Sequence, residues 1–185
     1  GTGTMGAAVA RAAVKGAQGA PVLLANRTRS KAEAVARELG AQTADNETVA
    51  RECSLIFLGV KPQMMEQMLS GLVPILKARK DRFVLASMAA GLDARRIQEM
   101  AGGAYPVICL MPNTPVAVSR GVLLVEEEND WQEEERQKLF DILSSTGRVI
   151  EIPDRLMTAA MAISGCGPAF MDMIIEALGD AAVKN

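Results

Sequence analysis

The chain has 185 residues, about half of them apolar, with 22 acidic against 20 basic side chains and a formal charge of −2. That length holds one ordinary domain, or one domain and part of another, with enough apolar residues for a real core. The near-balance of charge lacks the clustered positive excess of a nucleic-acid surface, and no run of like charge marks a tail.

The chain opens on Gly1-Thr-Gly3-Thr-Met-Gly6, a GxGxxG that runs into a helix with Met5, Ala8, Val9, Ala12 and Ala13 on its apolar positions. Glycine serves three ends in such a loop: a tight turn, close approach of a pyrophosphate to the backbone, and close packing of helix on strand. The helix start then offers unpaired N–H groups and a positive dipole end to phosphate. A strand over Val22–Ala25 follows and ends at Asn26-Arg27-Thr28. Enzymes that take NAD place a carboxylate there for the ribose; a guanidinium and a hydroxyl suit a 2′-phosphate instead.

Further strand-like runs cover Leu55–Val60, Phe83–Ala86, Val107–Met111, Val122–Val125 and Val149–Ile152, most of them unbroken, as expected of strands buried on both faces. Between them lie helices with recognisable ends. Ser30 with Glu33 reads as a capping box ahead of Ala32, Val35, Ala36 and Leu39, with Gly40 at the C-cap; Asp130 with Glu133 repeats the pattern before Leu139, Phe140, Leu143 and Gly147. Repeated strand–helix units of this size predict an α/β fold with a doubly wound parallel sheet over residues 1–152. After Pro153 the texture changes. Residues 154–184 predict two helices interrupted at Ser164-Gly-Cys-Gly-Pro168, too apolar to stand alone, as the opening of a second, all-α domain over 153–185.

The loops after the later strands are rich in small residues and proline: Val60-Lys61-Pro62, Ser87-Met-Ala-Ala-Gly91 and Met111-Pro-Asn-Thr-Pro115. In open α/β sheets ligands sit beyond the carboxyl ends of the strands, and small residues there admit a flat ring. Taken singly, each loop also fits plain turn chemistry. There is no histidine, so Ser–His and Cys–His pairs and histidine-ligated metal are excluded, and no metal site is expected. Cys53, Cys109 and Cys166 are dispersed and odd in number, which predicts free thiols in a reducing, cytoplasmic setting. No signal peptide is recognisable, and no apolar stretch is read as long enough to span a bilayer.

Together with Asp45-Asn46 and the run Ser164-Gly-Cys-Gly-Pro-Ala-Phe170, these segments resemble the pyrroline-5-carboxylate reductase family in order and spacing over essentially the whole chain. The resemblance implies a Rossmann-type NADP-binding domain followed by the beginning of a helical dimerisation domain. It implies NADPH-dependent reduction of 1-pyrroline-5-carboxylate to L-proline, with NADH as an alternative donor, in a cytoplasmic homodimer or larger homo-oligomer without nucleic-acid or membrane partners. By position, Gly1, Thr2, Gly3, Thr4 and Met5 would hold pyrophosphate, and Arg27 and Thr28 the 2′-phosphate. Asn46 would lie near the adenosine half, and Val60, Lys61, Pro62, Met88, Ala89 and Ala90 at the nicotinamide ribose and ring. Met111, Asn113 and Thr114 would face the substrate. A protonated imine is already electrophilic, so positioning outweighs a general base.

Cys166 replaces the serine usual in the family, Cys109 stands where arginine is frequent, and Thr158 and Met161 replace an aspartate and a threonine. The family pattern also has a strand ahead of the glycine loop and helices beyond Lys184, including the threonine near the imine, so no catalytic residue is assigned. The chain reads as a fragment, expected to be poorly stable alone because the strand ahead of the loop belongs at the centre of the sheet. Two other readings stand beside it. One is a non-catalytic NADP-binding module; the other is a related reductase, of the hydroxyacid dehydrogenase or deazaflavin-dependent kind.

Overall fold

The computed structural model describes residues 1–127 and 131–184. Helices α1 (Thr4–Gly16), α2 (Arg29–Leu39), α3 (Asn46–Glu52), α4 (Pro62–Ser70), α5 (Val73–Ala78), α6 (Ala94–Ala101) and α7 (Glu133–Leu143) alternate with seven strands. These are β1 (Leu23–Leu24), β2 (Gln42–Thr43), β3 (Leu55–Leu58), β4 (Val84–Ser87), β5 (Val107–Pro112), β6 (Gly121–Glu126) and β7 (Gly147–Ile152). The last element is α8 (Asp154–Lys184).

Local chemistry sets most helix ends. Asp45 and Asp93 cap α3 and α6 by accepting the N–H of Thr48 and Arg96 at 2.7 and 2.8 Å. Gly40 ends α2 in the left-handed region at φ 68°, as expected. The capping box expected at Ser30 and Glu33 does not form. The helix starts two residues earlier, with Thr28 at the N-cap and Arg29 first in the helix, and Arg29 pairs with Glu33 along the helix at 2.9 Å. The expected box at Asp130 lies outside the described residues; a box does form two residues later, where Gln132 donates its N–H to Glu135 at 2.8 Å.

The strands form a parallel-dominated α/β architecture with helices on both faces. The main sheet has the order β3-β4-β5-β6-β7, all parallel except β5 against β6, where Met111 faces Leu124. That one antiparallel pair sits in a sheet otherwise parallel, as the doubly wound reading expects. Only a 3₁₀ turn (Thr114–Val118) and its flanks join the two strands, too short for a crossover. One core packs Val9, Ala13, Leu139 and Leu143 of α1 and α7 on Val84, Ala86, Ile108 and Leu123. A second packs Met65, Leu69, Leu76 and Ile97 on Ile56, Leu58, Leu85 and Val107, and a small third joins Ala10, Leu24 and Ala36. Alternate residues of β4 therefore enter opposite cores, which is why Val84-Leu-Ala86 is apolar without alternation.

β1 pairs only with β2, a strand of two exposed residues that no apolar pattern announces. The ladder does not close between β1 and β3. Their remaining edges line one cavity of about 860 Å³, shared with Val9 and Ala13 of α1, Leu69 of α4 and Leu72 just beyond it.

Helix α8 is one continuous helix of 31 residues, not two, with Pro168 inside it and none of its residues buried. Running through the glycine–proline segment, it becomes long and apolar enough by length and composition to cross a membrane. This overturns the expectation that no such stretch exists, which broke the segment at Ser164–Pro168.

Candidate nucleotide-binding site

The start of α1 and the carboxyl ends of β1, β3, β4 and β5 form one rim. Close packing fixes the glycine loop: a Cβ on Gly6 would lie 1.9 Å from the Gly1 carbonyl oxygen, and one on Gly1 2.2 Å from that of Gly59. A Cβ on Gly3 would meet nothing within 4 Å, so that side of the loop is open. No side chain caps α1, and its first turn carries no acid. Its positive end is therefore available to an anion, with Thr4 and Met5 opening the helix.

Asn26, which the sequence reading placed in the phosphate trio without a role, ties two loops together. Its Oδ1 accepts the Thr2 N–H at 3.1 Å and its Nδ2 donates to the Thr28 carbonyl at 3.0 Å. Thr2 is buried, and its Oγ1 has no partner. Thr28 occupies the N-cap of α2, yet its side chain makes no cap bond. Arg27 is exposed, and among the described residues it forms no ion pair, whereas Arg29 beside it is held by Glu33. A free guanidinium, a free hydroxyl and an uncapped helix thus gather at one end of the sheet, a donor set matched to phosphate oxygens.

Asn46 is exposed at the start of α3 and lines the same cavity as Gly1, Thr2, Val60 and Met88. Lys61 is exposed at the N-cap of α4, with Pro62 in its first turn. Met88 reaches across to the Gly59 loop, its Cε 3.2 Å from where a Cβ on Gly59 would sit. The Ser87-Met-Ala-Ala turn is braced by the Ala89 N–H donating to the Ser87 hydroxyl at 3.3 Å. Ala89 itself belongs to one apolar core and Met88 packs partly on another, so of that trio Ala90 is the exposed residue. At the end of β5, Met111 is half-buried and Thr114 exposed, but Asn113 is buried with both ends of its amide bonded to protein.

Away from this rim the sequence reading missed Glu126, a carboxylate in the apolar run Leu123-Leu-Val-Glu. It is buried beside Cys109 and Asp154. Burial raises its pKa above the ordinary 4.5, and the hydrogen bond and charge of Asp154 add to this against a lowering by the Cys109 thiol. Burial, and then Glu126, push the Cys109 thiol well above its ordinary range, so it is inert. Cys53, Cys109 and Cys166 are all unpaired thiols.

Fold and rim together define an α/β protein with a nucleotide-binding type of rim, extended by an apolar helix. Residues 1–91 match the family described as NADP oxidoreductase, coenzyme F420-dependent, and residues 154–185 match the pyrroline-5-carboxylate reductase dimerisation family. The chain is 31% identical to the pyrroline-5-carboxylate reductase of Corynebacterium melassecola over 88% of its own length and 61% of the relative's. Against that of Glycine max it is 32% identical over 99% of its length and 66% of the relative's. It thus spans somewhat less than two thirds of these relatives. The whole chain superposes on the pyrroline-5-carboxylate reductase of Coxiella burnetii, covering 68% of it, with a TM-score of 0.89 and 25% identity. It also superposes on the Plasmodium falciparum pyrroline carboxylate reductase with NADP bound, covering 68% of that chain, at 0.82 and 29%. The chain belongs to the pyrroline-5-carboxylate reductase family.

Proposed function

We propose that this chain carries the cofactor half of an NADPH-dependent reductase that converts 1-pyrroline-5-carboxylate to L-proline, the last step of proline biosynthesis. The observation that carries the proposal is the uncapped start of α1 near Arg27, which forms no ion pair among the described residues, with the buried Thr2 Oγ1 left without a partner just ahead of the helix. NADPH supplies the hydride that reduces the imine carbon, and a proton completes the amine. The backbone of Gly1, Thr2, Gly3, Thr4 and Met5 binds the pyrophosphate, and Arg27 with Thr28 binds the 2′-phosphate. Asn46 borders the adenosine half. Val60, Lys61, Pro62, Met88 and Ala90, with the Ala89 backbone, hold the nicotinamide ribose and ring. Met111 and Thr114 face the substrate, and a histidine-free rim suffices because the protonated imine needs orientation more than a base.

On this reading residues 1–152 are the cofactor domain, and 153–185 open a helical domain that joins two copies of the chain. The cytoplasm fits three unpaired thiols. The match of residues 1–91 to F420-dependent NADP oxidoreductases favours one second reading, hydride exchange between NADP and a deazaflavin.

The test is NADPH and NADH binding by nicotinamide fluorescence, followed by NADPH oxidation with 1-pyrroline-5-carboxylate and separately with coenzyme F420. Proline formation supports the first reading. Oxidation by F420 alone replaces it with the second. NADPH binding without turnover on either leaves a cofactor-binding module.

A further inference from the structure

Pro168 lies within α8. Proline has no N–H, so the carbonyl four residues back, that of Ser164, loses its helical donor and is crowded by the ring. The replacement comes from the sheet. Asn113 Nδ2 donates to the Ser164 carbonyl oxygen at 2.9 Å. The same side chain is fixed from behind, its Oδ1 accepting the Val122 N–H at 2.9 Å while its own N–H donates to the Val122 carbonyl at 3.1 Å. Asn113 is only 7% exposed and sits between Pro112 and Pro115, where backbone freedom is small.

We propose that Asn113 is a positioning residue: it takes up the carbonyl that Pro168 strands and so fastens α8, at one register, to the carboxyl end of β5. The joint is a property of the fold; its kinetic consequence rests on the reading given under Proposed function. A helix interior offers no free carbonyl except opposite a proline, so Pro168 decides where along α8 the sheet can take hold. Because α8 buries none of its residues, apolar packing does little to set that register. A slip of one turn would carry Ser164 and its neighbours about 5.4 Å along the axis. The amide is buried, with its oxygen taken by Val122 and one of its two N–H donors by Ser164, so Asn113 acts through α8.

The decisive experiment is a rescue. Asn113→Ala leaves the Ser164 carbonyl without a donor; Pro168→Ala restores a helical N–H that can reach it. Asn113→Ala is expected to speed amide exchange along α8 around Ser164 and to lower kcat roughly tenfold or more, with the KM for NADPH nearly unchanged. Adding Pro168→Ala is expected to recover most of the α8 protection but little of kcat, because the helical bond closes while the tether to β5 stays absent. Asn113→Asp keeps an acceptor for Val122 but turns the donor facing Ser164 into an acceptor, so Val122 stays protected while α8 loosens. A double variant no better protected than Asn113→Ala overturns the proposal, as does unchanged α8 exchange in Asn113→Ala. Exchange is read without substrate, so the joint is decided even if the unsubstituted protein reduces no pyrroline.

Discussion

Asn26 offers the sharpest test of the cofactor rim, because it touches neither phosphate directly in the proposed mode yet ties the loops that bind both. Asn26→Ala removes two hydrogen bonds, the 3.1 Å bond from the Thr2 N–H and the 3.0 Å bond to the Thr28 carbonyl. At about 0.5–1.5 kcal/mol each, the ceiling on the loss is about 1–3 kcal/mol, roughly 5- to 150-fold in affinity. Bound cofactor re-orders part of the loop, so the expected loss is about tenfold in Kd, similar for NADPH and NADH, since the Thr2 loop serves the pyrophosphate they share. Asn26→Asp separates the contributions. Its carboxylate still accepts from Thr2, but it brings negative charge beside the 2′-phosphate, so NADPH weakens more than NADH. Fluorescence titration with both cofactors reads this directly, and a urea midpoint on each variant shows that the fold is intact. If Asn26→Ala binds both cofactors within about twofold of the unsubstituted chain, the bridge is a crossing of loops without functional weight.

Arg27→Ala is expected to weaken NADPH by about 1.5–3 kcal/mol and leave NADH nearly unchanged, because only one cofactor carries the 2′-phosphate; equal losses for both would remove Arg27 from that role. The Arg79 side chain is 4% exposed, donates to the carbonyls of Ala50 and Cys53 at 2.8 and 2.7 Å at the end of α3, and lies 4.4 Å from the Phe83 ring centre. Arg79→Met is expected to lose about 3 kcal/mol, or about 6–12 °C in Tm, by differential scanning calorimetry; no shift would mean the carbonyls find water. The raised pKa of Glu126 means the folded state prefers the proton, so its contribution is fully present below pH 4.5 and is lost as pH rises through the folded value. Glu126→Gln should therefore stabilise at neutral pH relative to the parent, with the gain vanishing near pH 4; a pH-independent difference in urea midpoints would contradict the burial argument.

The legible parts of this fold are those whose chemistry is local. The runs Phe83–Ala86 and Val107–Met111 read as strands because both faces are buried, and Gly40 reads as a helix end because only glycine takes φ 68° at no cost. The glycine loop and Arg27 were visible from spacing alone. Gln42–Thr43 was not, since an exposed two-residue strand is held by its backbone to β1 and carries no side-chain signal. The antiparallel β6 was within reach, as the short stretch between Pro112 and Gly121 forbids a crossover. Beyond reach were the contacts that join distant segments. Thr2 meets Asn26 across 24 residues, and Asn113 meets Ser164 across 51. The second also explains why a proline that reads as a helix break leaves α8 whole: the missing donor is replaced from another element.

What surrounds α8 follows from its charge pattern. A helix apolar on most sides must be covered, by lipid or by protein. Ile163, Phe170, Met173, Ile174 and Ile175 are all more than half exposed along it. The charge-free stretch runs only from Leu156 to Met171, 16 residues, or about 24 Å of helix against a hydrocarbon core of about 30 Å. Beyond it Asp172, Glu176 and Asp180 recur at four-residue spacing and share one face. In lipid each of these near the bilayer centre would cost about 2.5–3.5 kcal/mol, and nothing in α8 turns them toward a polar interior. Against other helices the same stripe faces water while the opposite side is covered. Residues 154–185 match a dimerisation family, and the pattern suits that use. The joint at Asn113 then acquires a purpose beyond one hydrogen bond, because a helix shared with a second copy can serve the cofactor rim only if its register on its own sheet is fixed.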